Sequence, residues 1–220
     1  MELYEVTIKR KFKNNPLIWK IVYCCLIILS IPFYYSFKWL KIKPDTITWL
    51  AILSRIPAII FFLSNEFWIG MLFLILGHIL DCVDGAIAHS TNNLNNKTYA
   101  YLDHMFHIVS LITLLIGVGI GSGYLVVGVT SAIFYLLSQI SFRYKDNLLK
   151  TTNKKSKKVG GKQNEVIRIA LSFEGYLPMI IIGKILGLMM VLNLGYLLIT
   201  SLMVIYSFKN SYKAVSKIDA

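Results

Sequence analysis

Charge is scarce in this sequence. Charged residues make up 15% of its 220 positions, against about 25% in an ordinary soluble domain. The charge present leans one way, with 23 Lys and Arg against 11 Asp and Glu. Cysteine is also rare. Cys24, Cys25 and Cys82 form neither a disulfide framework nor a Cys-x-x-Cys metal pattern, so they read as packing residues. No cleavable leader is evident, because the start, MELYEVTIKRKFKNNP, is polar and no small-residue cleavage site follows a short apolar core. HExxH and GxSxG are both missing, which argues against a zinc or serine hydrolase. Low-complexity tracts, internal repeats and a soluble domain are missing too.

Apolar sequence takes their place. Hydrophobic residues reach 56% and the mean hydropathy is +0.62. Several runs attain the roughly 20 residues that a bilayer requires of a helix. The fold class predicted is all-α, a polytopic membrane helix bundle. Its apolar segments are 17–40, 46–63, 66–88, 100–120, 124–142, 168–190 and 192–208. The last two run together, with Asn193 and Gly195 as the expected turn. The first carries Pro32 in its middle and lysines on both sides. Proline removes a backbone donor where lipid offers no replacement, so this segment is expected to be interfacial or re-entrant. Six transmembrane helices follow it.

The basic residues gather in 143–168, in the N-terminal stretch KRKFKN, and at Lys209, Lys213 and Lys217. By the positive-inside rule these are cytoplasmic segments rather than a nucleic-acid surface, and no nucleic-acid partner is expected. Both ends are then cytoplasmic. The outer turns fall near Ser64–Glu66, Gly121–Gly123 and Asn193, and the inner loops at 89–100 and 143–167. The division expected is 1–43 for the cytoplasmic N-terminus and interfacial helix, 44–209 for the six-helix domain, and 210–220 for a cytoplasmic tail.

At the inner end of the second full span stands ILDCVDGAIAHS, residues 79–90. Ionisable groups at membrane depth are costly, and by default they are functional. Asp81 and Asp84 lie at i and i+3. The next span opens YAYLDHMFHIVS, with Asp103 and His107 at i and i+4. Both spacings put the side chains on one helix face, and a short loop joins the two helices, so three carboxylates and an imidazole can converge. Clustered carboxylates in a low dielectric repel one another. A hard divalent cation resolves that conflict, and magnesium is typically shared between carboxylates and substrate phosphates. Gly85 and Ala88 keep the neighbouring surface small enough for a phosphate or nucleotide to approach. All four histidines, His78, His89, His104 and His107, fall between positions 78 and 107. His78 and His104 read as packed helix residues and His107 as functional.

With these residues in place, the sequence resembles the CDP-alcohol phosphotransferases. Their signature reads D-x-x-D-G-x-x-A-R, eight residues, then G-x-x-x-D-x-x-x-D. Asp81, Asp84, Gly85 and Ala88 match in register, and Asp103 matches the third aspartate. The segment KPDTITWLAILSR, with Pro44, Thr46, Thr48 and Arg55, is similar to the family's first-span motif, T-P-N-x-x-T. The likeness runs from about residue 43 to the C-terminus. His89 replaces the signature arginine, Asp45 the asparagine of the first-span motif, Tyr99 the glycine and His107 the fourth aspartate. The gap before the third aspartate is one residue longer.

The resemblance implies that an acceptor hydroxyl attacks the phosphate of a CDP-linked alcohol, releasing CMP, in phospholipid or cell-envelope polymer synthesis. It implies two cations, Mg²⁺ or Mn²⁺, on Asp81, Asp84 and Asp103. His107 would be the base, since imidazole accepts a proton near neutrality. Gly85 and Ala88 would admit the cytidine diphosphate, and His89 would contact phosphate. Arg55, roughly 15 Å along its span, would pair with a carboxylate or bind substrate. Donor possibilities include CDP-diacylglycerol, with a lipid or polyol as acceptor. The apolar runs and the basic loops place the protein in the cell membrane with its site facing the cytoplasm, and the likeness implies a homodimer. Two other readings compete: a catalytically silent relative serving as a partner subunit, and a divalent-metal transporter. A transporter needs polar groups along a path to both faces, whereas here they gather at one end.

Overall fold

The computed structural model describes residues 17–91, 96–151 and 173–216. They form α1 (Leu17–Trp39), α2 (Pro44–Leu53), α3 (Arg55–Leu63), α4 (Phe67–Ser90), α5 (Lys97–Gly121), α6 (Leu125–Thr151), α7 (Phe173–Ile185) and α8 (Met189–Val215). Among the described residues there is no strand. The fold is the expected all-helical bundle of a multi-pass membrane protein. Among the described residues six helices have the length and apolarity to cross a bilayer, counting α2 and α3 together as one 20-residue span. Their outward faces are greasy, as at Ile28, Trp49, Ile56, Leu72, Ile133 and Ile205, all more than half exposed or nearly so.

The six are not numbered as the runs alone suggested. The segment expected to be interfacial, Lys20–Trp39, is among them, while 168–190 contributes the shorter α7. Pro32 does not break α1. Of the basic segments, the N-terminal KRKFKN and residues 152–168 lie outside the described residues.

The contacts separate two units. The first comprises residues up to Thr113 together with Phe173–Pro178. In it α1, α2 and α3 each pack on α4. Its core brings together Tyr34 of α1, Ile47 and Ala51 of α2, Leu80, Val83 and Ile87 of α4, and Phe106 of α5. The break between α2 and α3 follows from Pro57. That ring has no N–H to offer the carbonyl four residues back, so the helix interrupts at Ser54.

The second unit runs from Leu114 to Ser172 and from Met179 onward, with α6 packed along α8. The hydroxyls of Ser141 and Ser211 meet there at 2.9 Å. Where α5 ends and α6 begins, Gly119 and Gly128 cross backbone to backbone. A Cβ on Gly128 would lie 2.7 Å from the Gly119 Cα.

Two of the turns expected between spans fall at the expected positions, Ser64–Glu66 and around Gly123. The third does not. The chain reverses at Gly187, whose φ of +70° suits glycine, and Asn193 sits inside α8, 2% exposed. Its amide donates to Ser122 Oγ at 2.8 Å and to the Tyr124 carbonyl at 3.2 Å. Asparagine here ties down a different turn instead of making its own.

Candidate active site

The site is built on α4 and α5, within the first unit. Helical periodicity sets Asp81 and Asp84 on the inward face of α4, and Asp103 and His107 one turn apart on α5. Asp81, Asp103 and His107 converge: one ligand atom from each lies within 4.8 Å of the other two. The His107 Nε2 stands 3.9 Å from Asp103 Oδ1, and both side chains are about half exposed. Two carboxylate oxygens and an imidazole nitrogen, drawn from two helices and open on one side, form a donor set that fits a divalent cation.

Asp84 is placed differently. It is 1% exposed, and hydroxyls engage both of its oxygens. Thr48 of α2 donates to Oδ2, and Tyr99 of α5 donates to Oδ1 at 3.2 Å. Thr48 Oγ1 is also 3.1 Å from the Pro44 carbonyl. A buried carboxyl without such partners would be strongly disfavoured, so these two hydroxyls explain how Asp84 tolerates its position. Thr48 belongs to the first-span motif. Tyr99 stands where the signature has glycine, and the sequence reading gave it no task. A Cβ on Gly85 would be 3.7 Å from the Tyr99 hydroxyl, so this phenol overlies the face expected to admit the donor.

The other predicted residues are distributed along α4 and α3. Gly85 is half-buried, Ala88 is fully buried, and His89 is exposed in the last turn of α4. Arg55 is 1% exposed. Its Nη1 donates to the Leu74 carbonyl at 2.7 Å, and its guanidinium lies 4.7 Å from the centre of the Phe106 ring. The Asp81 carboxylate is within its electrostatic reach. Gly77 makes room for this arrangement, since a Cβ there would come within 2.7 Å of the guanidinium. His78 packs edge-on to Phe106 and shares a 3.3 Å hydrogen bond with the Tyr176 hydroxyl. That is the packed role its sequence context suggested, and the tyrosine partner, 98 residues away, had no local signal.

No curated protein matches the chain, and no solved structure does. The family model for CDP-alcohol phosphatidyltransferases matches residues 41–207, which include every element from α2 to most of α8. Proteins of this family transfer a phosphate-linked alcohol group from a CDP-alcohol. With the paired aspartates, the third aspartate and the first-span threonine gathered in one unit, the chain belongs to the CDP-alcohol phosphatidyltransferase family.

Proposed function

We propose that this protein transfers the substituted phosphate of a CDP-alcohol to an acceptor hydroxyl, releasing CMP, at the cytoplasmic end of its helices. The observation that carries this reading is the convergence of Asp81, Asp103 and His107 in a chain that matches the family from residue 41 to 207. Mg²⁺ or Mn²⁺ would bind Asp81 and Asp103, and two ions would need Asp84 as well. Each Asp84 oxygen keeps a lone pair beyond the one its hydroxyl donor engages. A divalent cation held there would neutralise charge developing on the transferred phosphate and on departing CMP.

The chain's own groups do the rest. Gly85, with no side chain, lets the cytidine diphosphate lie against α4, and the Ala88 methyl keeps that helix closely packed. His89, exposed at the helix end, reaches a phosphate oxygen when protonated. Arg55 holds α3 against α4 and places positive charge behind Asp81. His107 has two candidate tasks, to take the acceptor proton or to bind the cation, and one imidazole nitrogen cannot do both at once. A lipid or polyol acceptor and a role in phospholipid or cell-envelope polymer synthesis suit a site at a membrane surface.

The test is CMP release by the purified full chain, supplied with Mg²⁺ or Mn²⁺ and a panel containing CDP-diacylglycerol, CDP-glycerol, CDP-ribitol and CDP-choline. Release should stop on chelation and fall by at least about a hundredfold in Asp103→Asn, the usual scale for removing a charge-stabilising group. If no donor and acceptor pair yields CMP, the transferase reading is wrong and the silent partner subunit takes its place.

A further inference from the structure

Two of the chain's departures from the signature lie beside its carboxylates. Tyr99, at the glycine position, engages Asp84 Oδ1, while Thr48 engages the other oxygen. His107, at the position of the fourth aspartate, turns its Nε2 toward Asp103 and joins Asp81 in the group whose ligand atoms lie within 4.8 Å. Together they change the site's chemistry. An all-aspartate signature offers only hard oxygen. Here the most accessible carboxylates are Asp81 and Asp103, and the third converging donor is an imidazole nitrogen.

We infer that His107 ligates the cation through Nε2, and that the site therefore selects Mn²⁺, Fe²⁺, Co²⁺ or Zn²⁺ over Mg²⁺. This rests on the metal-dependent reading of the site. The geometry agrees: donors about 2.1 Å from one octahedral ion stand about 3 Å apart when adjacent and about 4 Å when opposite. The 3.9 Å between Nε2 and Asp103 Oδ1 falls in that range, and the 4.8 Å limit on the full group asks only for a small side-chain rotation. Magnesium sheds its water reluctantly and favours oxygen, whereas imidazole suits the first-row transition ions. A second consequence concerns the proton. With Nε2 committed to a cation, His107 would not be free to take the acceptor proton, and a carboxylate oxygen at the site would have to accept it instead.

The experiment needs no turnover. The full chain in detergent is loaded with Mn²⁺, and pulsed electron paramagnetic resonance reads whether a ¹⁴N nucleus couples to the ion. Calorimetry then compares Mn²⁺ with Mg²⁺. The expected result is a single-imidazole ¹⁴N signal and Mn²⁺ binding at least about tenfold tighter than Mg²⁺. In His107→Asp the ¹⁴N signal should vanish while Mn²⁺ still binds, and the Mg²⁺ affinity should rise. Because His107 is about half exposed, this substitution leaves the core intact. Mn²⁺ bound without ¹⁴N coupling, Mg²⁺ bound as tightly as Mn²⁺, or no Mn²⁺ binding at all overturns the inference. A ¹⁴N signal in a chain that never releases CMP would uphold the ligand assignment and remove the transferase reading, so the two fail separately.

Discussion

Tyr99→Phe isolates one hydrogen bond with little else disturbed. The ring stays, so packing at this 6% exposed position is preserved, and only the hydroxyl that donates to Asp84 Oδ1 is lost. A buried acceptor left without its donor costs about 1–3 kcal/mol, because water cannot replace the lost hydroxyl. At 3.2 Å the bond is long for O–H···O, which points to the lower half of that range, about 1.5 kcal/mol. In a chain of this size 1 kcal/mol shifts the melting temperature by about 2–4 °C. Thermal unfolding in detergent, followed by Trp fluorescence, should therefore show a fall of about 3–6 °C. The decisive control is the same substitution in an Asp84→Ala background. Without the carboxylate to satisfy, the hydroxyl has nothing to lose, and the effect should shrink below about 0.5 kcal/mol. An equal loss in both backgrounds, or no loss in either, would refute the idea that Tyr99 braces Asp84.

Three further outcomes are expected. Gly128→Ala should destabilise the second unit by about 1–3 kcal/mol, since the added methyl meets the Leu115 carbonyl and Gly119 backbone, which cannot step aside; melting temperature reads this out. Asn193→Ala removes donors to Ser122 and Tyr124 and should speed amide exchange at residues 122–124 by about tenfold, the equivalent of one ordinary hydrogen bond. Arg55→Lys should cost at least about 1 kcal/mol of stability although charge is retained, because an ammonium cannot both reach the Leu74 carbonyl and keep the guanidinium's contact over the Phe106 ring. A lysine variant with parental melting behaviour would show that the guanidinium's shape is irrelevant.

The helices were legible because their residues leave few alternatives. Long apolar runs separated by SNE and GSG mark spans and turns without reference to distant contacts. The Gly187 turn was missed because Asn193 and Gly195 carry the stronger local turn chemistry. What overrides it is non-local: Asn193 uses its amide some 70 residues back along the chain, and the left-handed backbone goes to Gly187 instead. The basic run similarly hid the end of α6, which continues through Arg143 and Lys145 to Thr151, since charge does not by itself stop a helix. At the site, spacing identified Asp81, Asp103 and His107 as neighbours, because i,i+4 on one helix and a short loop to the next nearly dictate it. Spacing could not say that Asp84 would be shared by Thr48 and Tyr99. That depends on how α2 and α5 lean on α4, and the only hint was a tyrosine where the signature has glycine.

The span formed by α2 and α3 touches α4 through polar bonds at two points, Thr48 to Asp84 and Arg55 to the Leu74 carbonyl. These anchors are seven residues apart on their span, about 10 Å, and they bind α4 ten residues apart. One anchor would act as a pivot about which α4 could swivel, but two fix both its rotation and its sliding. The aspartate face of α4 is thus registered like a gear tooth against its neighbour. On the proposed function, any adjustment of the site to a bulkier or smaller donor would have to come from side-chain rotation or from the α5 side. Attempts to retune donor choice by protein engineering should therefore begin at Tyr99 and His107, and leave α4 alone.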